Sequence, residues 1–243
     1  MDGVLNGTAL DRSRPAAGTH GGLDATGARS VPVDPLLASL VPDGGLRRGS
    51  VVGIGAAPGW CSLLLALLAG AMTEGAWAAL VGLPDLGVEG AAGLGVPLDR
   101  LALVPDPGSR WPEVAAALLD AVELVALCLP GRCRPADARR LAARVRARRG
   151  VLFVSEASPP GFGGASWPAQ VDLELVIESS RWSGLDRGGG VLQGREVTVR
   201  AGGRRAGPRA RMARLWLPAA TGGLAPAEDP AEPARPAVHQ LAG

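Results

Sequence analysis

One segment, Ser50 to Met72 (SVVGIGAAPGWCSLLLALLAGAM), limits what this chain can fold into more than any other. Val51–Ile54 is a short apolar strand, Gly55-Ala56-Ala57-Pro58-Gly59 a turn, and Trp60–Met72 a run of helix-forming residues. No charged residue occurs between Val51 and Thr73, a pattern that suits a membrane span by hydropathy alone. Gly53, Gly55, Pro58 and Gly59 break it into two pieces, so the segment reads as a strand and a helix, both buried in one core. Strand, glycine turn and helix is also the layout of a phosphate-binding loop, in which backbone N–H groups and a helix N-terminus hold the anion. Such a loop needs G-x-x-x-x-G-K-[ST], yet Trp60, Cys61 and Ser62 follow Gly59. No lysine occurs anywhere in the chain; all 25 basic residues are arginine. Gly55, Pro58, Gly59, Trp60, Cys61 and Ser62 therefore form a degenerate phosphate loop, with the shape of a nucleotide site but without its charge. The competing reading is an ordinary tight strand–helix turn.

The remaining composition removes several function classes. At 243 residues and 47% hydrophobic content the chain suits one domain with a sizeable core. A formal charge of +2 argues for neither nucleic acid nor membrane in bulk, so any basic surface must be local. Cys61, Cys128 and Cys133 have no metal-ligand or C-x-x-C spacing and read as reduced thiols of a cytoplasmic protein. Both histidines, His20 and His239, lie in the tails, which leaves the body without histidine for acid–base catalysis or metal binding. The N-terminus shows no signal-peptide pattern.

Along the chain, residues 1–30 read as a disordered leader, 31–218 as an α/β core and 219–243 as a disordered Ala/Pro/acidic tail. Val33–Leu40 suggests a short helix with Asp34 as cap and Pro35 at its first position. Ala76–Val81, Leu101–Val104, Val122–Leu129 and Val151–Val154 are unbroken apolar runs, the mark of parallel strands covered on both faces. Helical stretches at Val88–Gly95, Trp111–Asp120 and Pro135–Arg149 separate them, which predicts right-handed β-α units. Beyond Ser155 the pattern alternates, at Asp172–Glu178, Arg195–Arg200 and Ala213–Leu217, and predicts antiparallel strands closing the sheet's edge.

This order of elements, with its local wording, resembles the ATPase core of RecA-like recombinases over roughly Val33 to Pro218. Asp43–Gly49 (DGGLRRG) resembles the turn leading into that family's phosphate-loop strand, and Gly93–Leu101 (GLGVPLDRL) is similar to the family's KLGVDIDNL segment. Pro105-Asp106-Pro107 follows where the family has a proline-acid turn. More narrowly, Val81–Gly87 (VGLPDLG), Trp182–Gly184 (WSG) and Arg214–Pro218 (RLWLP) resemble actinobacterial ImuA-type proteins, degenerate RecA relatives. The resemblance implies a RecA-like P-loop NTPase core, a mostly parallel sheet with helices on both faces and antiparallel C-terminal strands. Carried over residue by residue, the family's phosphate-binding lysine falls on Trp60 and its Mg²⁺-binding hydroxyl on Cys61. The catalytic glutamate falls on Pro84, beside Asp85, and the magnesium-orienting aspartate on Leu129 or Pro130. Neither Mg²⁺ nor an attacking water then has its ligands. The expectation is a pseudo-NTPase with no catalytic residues, no metal, and ATP and Mg²⁺ lost.

The DNA-binding loops of that family correspond to Gly131–Pro135 and Ala157–Ala169, both short and the second without a basic residue, so strand exchange is not expected. The implied role is that of a non-catalytic accessory protein of the SOS response and translesion synthesis. It would bind an ImuB-type Y-family polymerase-like protein in a mutasome, with self-association as a further expectation. Arg200, Arg204, Arg205, Arg209, Arg211 and Arg214, near Trp182 and Trp216, form a weak candidate for DNA contact by phosphate pairing and stacking; the competing reading is a solvated hairpin. The arginines of Pro135–Arg149 read as a solvated helix face, Trp60 as packed in the empty loop, and Trp77 and Trp111 as core or half-buried. A divergent ATP-binding protein, with an arginine from outside the loop replacing lysine, is the alternative.

Overall fold

The computed structural model describes residues 29–129, 132–156, 166–186, 189–204 and 210–227. The first element of the described residues is a small ribbon, Ser30–Pro32 (β1) paired antiparallel with Gly45–Arg47 (β2). The strand Ser50–Ile54 (β3) then leads into the helix Trp60–Thr73 (α1). Ala78–Val81 (β4), Val88–Gly93 (α2), Leu101–Val104 (β5), Trp111–Ala121 (α3), Leu124–Cys128 (β6), Pro135–Arg148 (α4) and Val151–Ser155 (β7) follow in strict alternation. The C-terminal part holds Leu173–Trp182 (β8), the short Leu185–Asp186 (β9) and Gly189–Gly190 (β10), then Arg195–Gly202 (β11), Arg211–Trp216 (β12) and Ala225–Pro226 (β13).

Nine strands form one sheet in the order β13-β12-β11-β8-β3-β7-β6-β4-β5. From β8 to β5 every pairing is parallel, and from β8 to β13 every pairing is antiparallel. The fold is thus α/β, a large mixed sheet with a parallel half and an antiparallel C-terminal half.

Residue parity sorts the strands onto two cores, because successive side chains leave a strand on opposite faces. Val52, Ile54, Leu80, Ala126 and Phe153 face α1; Val51, Val81, Val125, Leu127, Leu152 and Val154 face α3 and α4. The lack of charge in α1 has a direct cause. Leu37, Leu40 and Val41 join the same core as α1 and the sheet, so Leu63, Leu64, Leu67, Leu68 and Met72 are all buried. A helix apolar all round is a helix enclosed all round, and each such side chain contributes roughly 1.5–3 kcal/mol of burial. By contrast, α4 buries only Ala138, Leu141 and Val145. Its arginines face outward, where Arg144 and Arg148 both donate to Asp120 of α3.

Three sequence expectations need correction. Val33–Leu40 is a series of turns, not an α-helix: Asp34 does cap its start, Oδ1 accepting the Leu36 N–H at 2.8 Å, but the backbone bonds that follow, Leu37 N–H to Asp34 O and Leu40 N–H to Leu37 O, span three residues instead of four. Asp172–Glu178 does alternate, but β8 is parallel to β3 on one side and antiparallel to β11 on the other, so it is the hinge between the two halves. Residues 219–227 belong to the fold, with Ala219 buried and Trp216 opposite Ala225. The tails holding His20 and His239 lie outside the described residues. Among the described residues no helix is long and apolar enough to cross a membrane.

Candidate functional site: a glycine loop filled by arginine

The glycine loop leaves the carboxyl end of β3, between β7 and β8. Gly59 begins α1 with φ 101°, a left-handed conformation that glycine adopts without cost. The loop turns in on itself. Ala57 N–H donates to Gly55 O at 2.9 Å and Trp60 N–H to Ala57 O at 3.0 Å, while Pro58 has no N–H to offer. Three positions that would line a phosphate cradle are therefore spent.

The group that fills the loop comes from 136 positions further along the chain. Arg195, the first residue of β11, is 7% exposed. Its Nη2 donates to Ser62 Oγ at 2.7 Å and its Nε to Leu217 O at 2.9 Å. A Cβ placed on Gly59 would lie 2.8 Å from Arg195 Cζ, so the guanidinium is seated directly on the glycine. The Trp182 ring closes the outside, 5.1 Å from Cζ to its centroid. The same residue also fixes the backbone: Arg195 N–H donates to Pro218 O at 2.8 Å, and Leu217 N–H to Arg195 O at 2.7 Å.

This cation sits at a helix N-terminus, where the macrodipole disfavours positive charge, and it has no carboxylate partner among the described residues. Burial lowers its pKa, with Cys61 opposing. Burial likewise raises the Cys61 thiol, only partly offset by Arg195. Cys128 is pushed up to about 12 by burial, then by Cys61. Burial, then Asp137, moves Cys133 to about 11 against a backbone N–H bond from Ala138. None of the three thiols is the low-pKa nucleophile of a reactive cysteine.

Trp60, expected in the loop, is only partly buried and packs against the α1 core. Ser62 is held by Arg195 instead of facing open space. At the other carried-over positions, Pro84 and Asp85 are exposed in a turn and Leu129 is fully buried; Pro130 lies outside the described residues. Trp111 is buried as expected, whereas Trp77 is 44% exposed. A carboxylate that the sequence reading missed, Glu156, follows β7 and accepts from Ser166 Oγ at 3.0 Å and Trp167 N–H at 3.1 Å. It lines a cavity of about 350 Å³ together with Gly53, Gly55, Glu174 and Arg204. Among the described residues, no group of three or more His, Cys, Asp or Glu side chains is placed to hold a metal ion.

The C-terminal arginines do not form an open basic patch. Arg200 pairs with Glu178 at 2.5 Å, Arg214 with Glu196 at 2.5 Å, and Arg204 with Asp172 at 3.6 Å. Only Arg211 of the described candidates lacks a carboxylate, and Arg205 and Arg209 lie outside the described residues. Trp182, a candidate stacking platform, already has a face on Arg195.

A profile of the MT3502 N-terminal domain matches residues 39–161, about half of the chain. The chain belongs to that family. It is also 39% identical over 137 residues to the uncharacterized protein Rv3395c of Mycobacterium tuberculosis, covering 52% of this chain and 67% of that one. Within the MT3502-type segment lie β3, the glycine loop, α1 and all the strands of the parallel half except β8. Arg195 lies outside it.

Proposed function

We propose that this MT3502-family chain is a non-catalytic accessory protein on a RecA-like frame, acting through protein–protein contacts in DNA-damage tolerance. The observation that carries the non-catalytic reading is Arg195. Its guanidinium occupies the glycine loop with both bonded nitrogens committed to Ser62 and Leu217, so a triphosphate would have to evict it. Trp60 in place of lysine, and Pro84 and Leu129 in place of acids, support the same reading.

The pathway and partner rest on the resemblance of VGLPDLG, WSG and RLWLP to ImuA-type proteins. They imply an ImuB-type polymerase-like partner in translesion synthesis. Large apolar side chains exposed around β9 and β10, Leu185, Val191 and Leu192, suit a docking role better than an enzymatic one.

A second reading, a divergent ATP-binding protein, draws on the same residue: a buried cation with no carboxylate partner among the described residues, supplied from outside the loop. Titration calorimetry with ATP and Mg²⁺ separates the two. The accessory reading expects no heat from the wild type. Micromolar binding that disappears in Arg195→Ala overturns it in favour of the second. Co-purification with an ImuB-type protein tests the partner, and failure of the two purified proteins to associate removes the mutasome assignment.

A further inference from the structure

A second set of arginines gathers at the opposite end of the parallel strands, where their N-termini lie. Arg47 and Arg48 occupy the turn between β2 and β3. Arg29 lies across from them: Arg48 N–H donates to Arg29 O at 2.9 Å, one residue beyond the Ser30–Arg47 pairing of the ribbon. The last turn of α4 comes up beside this turn. Gly49 N–H donates to Gly150 O at 2.7 Å, and a Cβ on Gly49 would lie 3.3 Å from Arg146 Cα. Arg29, Arg47, Arg48 and Arg146 thus surround a strip of glycine backbone, with Arg149 next to it in the chain. Arg29, Arg47 and Arg146 are exposed and Arg48 half-exposed. None of these four has a carboxylate partner among the described residues.

Among the described residues none of the nearby acids lies within ion-pair distance of them. Glu123 accepts the Trp77 N–H at 3.0 Å, and Asp172 accepts the Val51 N–H at 3.1 Å and pairs with Arg204. Asp43 stands in the wall of a cavity of about 650 Å³ that Arg29 and Arg47 also line. Attraction to the C-terminal dipole of α4 accounts for Arg146, but not for Arg29 set opposite Arg48. Like charges facing each other across a ribbon are destabilising unless an anion lies between them.

We infer that this end of the sheet binds the phosphodiester backbone of nucleic acid without reading its sequence. Backbone contact requires unpaired arginines on an accessible surface and no base-reading groups, which is what these residues offer. A stable interface with an acidic protein is usually centred on aromatic or aliphatic anchors beside its arginines. None of the exposed large hydrophobic side chains of the described residues belongs to this strip. The inference does not depend on the glycine loop or on the mutasome reading.

Fluorescence anisotropy of the full chain with a labelled oligonucleotide, single-stranded and duplex, tests it. The triple variant Arg47→Ala/Arg48→Ala/Arg146→Ala should weaken binding about 10- to 100-fold at about 50 mM salt and flatten the log–log salt slope by about 2–3, since each duplex phosphate contact adds about 0.9. Arg200→Ala/Arg214→Ala should leave both unchanged. Thermal melting of the triple variant close to wild type shows that the loss is not unfolding. No binding by the wild type overturns the inference, as does binding lost in the Arg200/Arg214 variant but kept in the triple variant. A labelled poly-glutamate peptide bound as tightly as the oligonucleotide overturns the assignment to nucleic acid.

Discussion

The two ends of the parallel strands use arginine in opposite ways. At the carboxyl end a single guanidinium, that of Arg195, is buried, bonded on two sides and covered by Trp182. At the amino end Arg29, Arg47 and Arg146 are exposed and Arg48 half-exposed, and none of them has a carboxylate partner among the described residues. A third group, Arg200, Arg204 and Arg214 on the outer face of the antiparallel half, is cancelled residue by residue by Asp172, Glu178 and Glu196. In a protein whose only strong base is arginine, the count of basic residues thus says little about where positive charge is available. Packing and partner choice decide it.

The sharpest way to break this contrast is Arg195→Ala. Truncation leaves a cavity beside Gly59 and orphans the Leu217 carbonyl, and should cost about 2–4 kcal/mol. In a chain of this size that lowers the melting temperature by roughly 4–16 °C. Alanine at Arg47 and Arg48 should stay within about 0.5 kcal/mol of wild type. If both ends respond alike in calorimetric melting, the contrast fails.

Gly59→Ala should be next in size, at about 1–2 kcal/mol from the left-handed backbone alone, with more from the contact with Arg195. The double variant Gly59→Ala/Arg195→Ala should be less destabilised than the sum of the two, because the contact is then already gone. Additive melting shifts would mean that the guanidinium does not rest on Gly59.

The smallest effect belongs to the α3–α4 surface. Hydrogen bonding from Arg144 lowers the Asp120 pKa to about 2 against desolvation, the next-largest effect, with Arg148 adding to the lowering. Its folded-state value is below its unfolded one, so its contribution is complete above about pH 4 and is lost as pH falls through about 2. Asp120→Asn should flatten that part of the acid limb in urea melts, lowering stability slightly and evenly above about pH 4, by the small amount an exposed pair contributes, and leaving it unchanged below about pH 2.

How much was legible in the sequence follows from the range of the forces involved. Unbroken apolar runs such as Ala78–Val81 and Val151–Ser155 announce strands covered on both faces, and the parallel half follows from them. Val33–Leu40 carries the cap and the proline of a helix start, yet its backbone bonds span three residues instead of four, a choice that periodicity does not reveal. Arg195 was the larger miss. Its partners, Ser62 and Leu217, are distant in sequence, yet one signal was present. Residues 195, 197, 199 and 201 share one face of β11, and the last three are Val197, Val199 and Ala201, all buried. An arginine in step with three core residues is an inward-facing arginine, and such a residue needs acceptors waiting for it.

The core around α1 bears on where this protein can be divided. The family match ends at residue 161, but α1 rests on one continuous apolar layer that includes Leu173, Leu175, Val197, Val199 and Leu215 from beyond that point. Arg195 adds a polar clasp across the same seam. In this chain the boundary of sequence similarity is therefore not a boundary of cooperativity. A fragment cut at 161 would open to water the apolar layer that α1 shares with those later strands, and the two halves should exchange their amide hydrogens, melt and refold as a single unit.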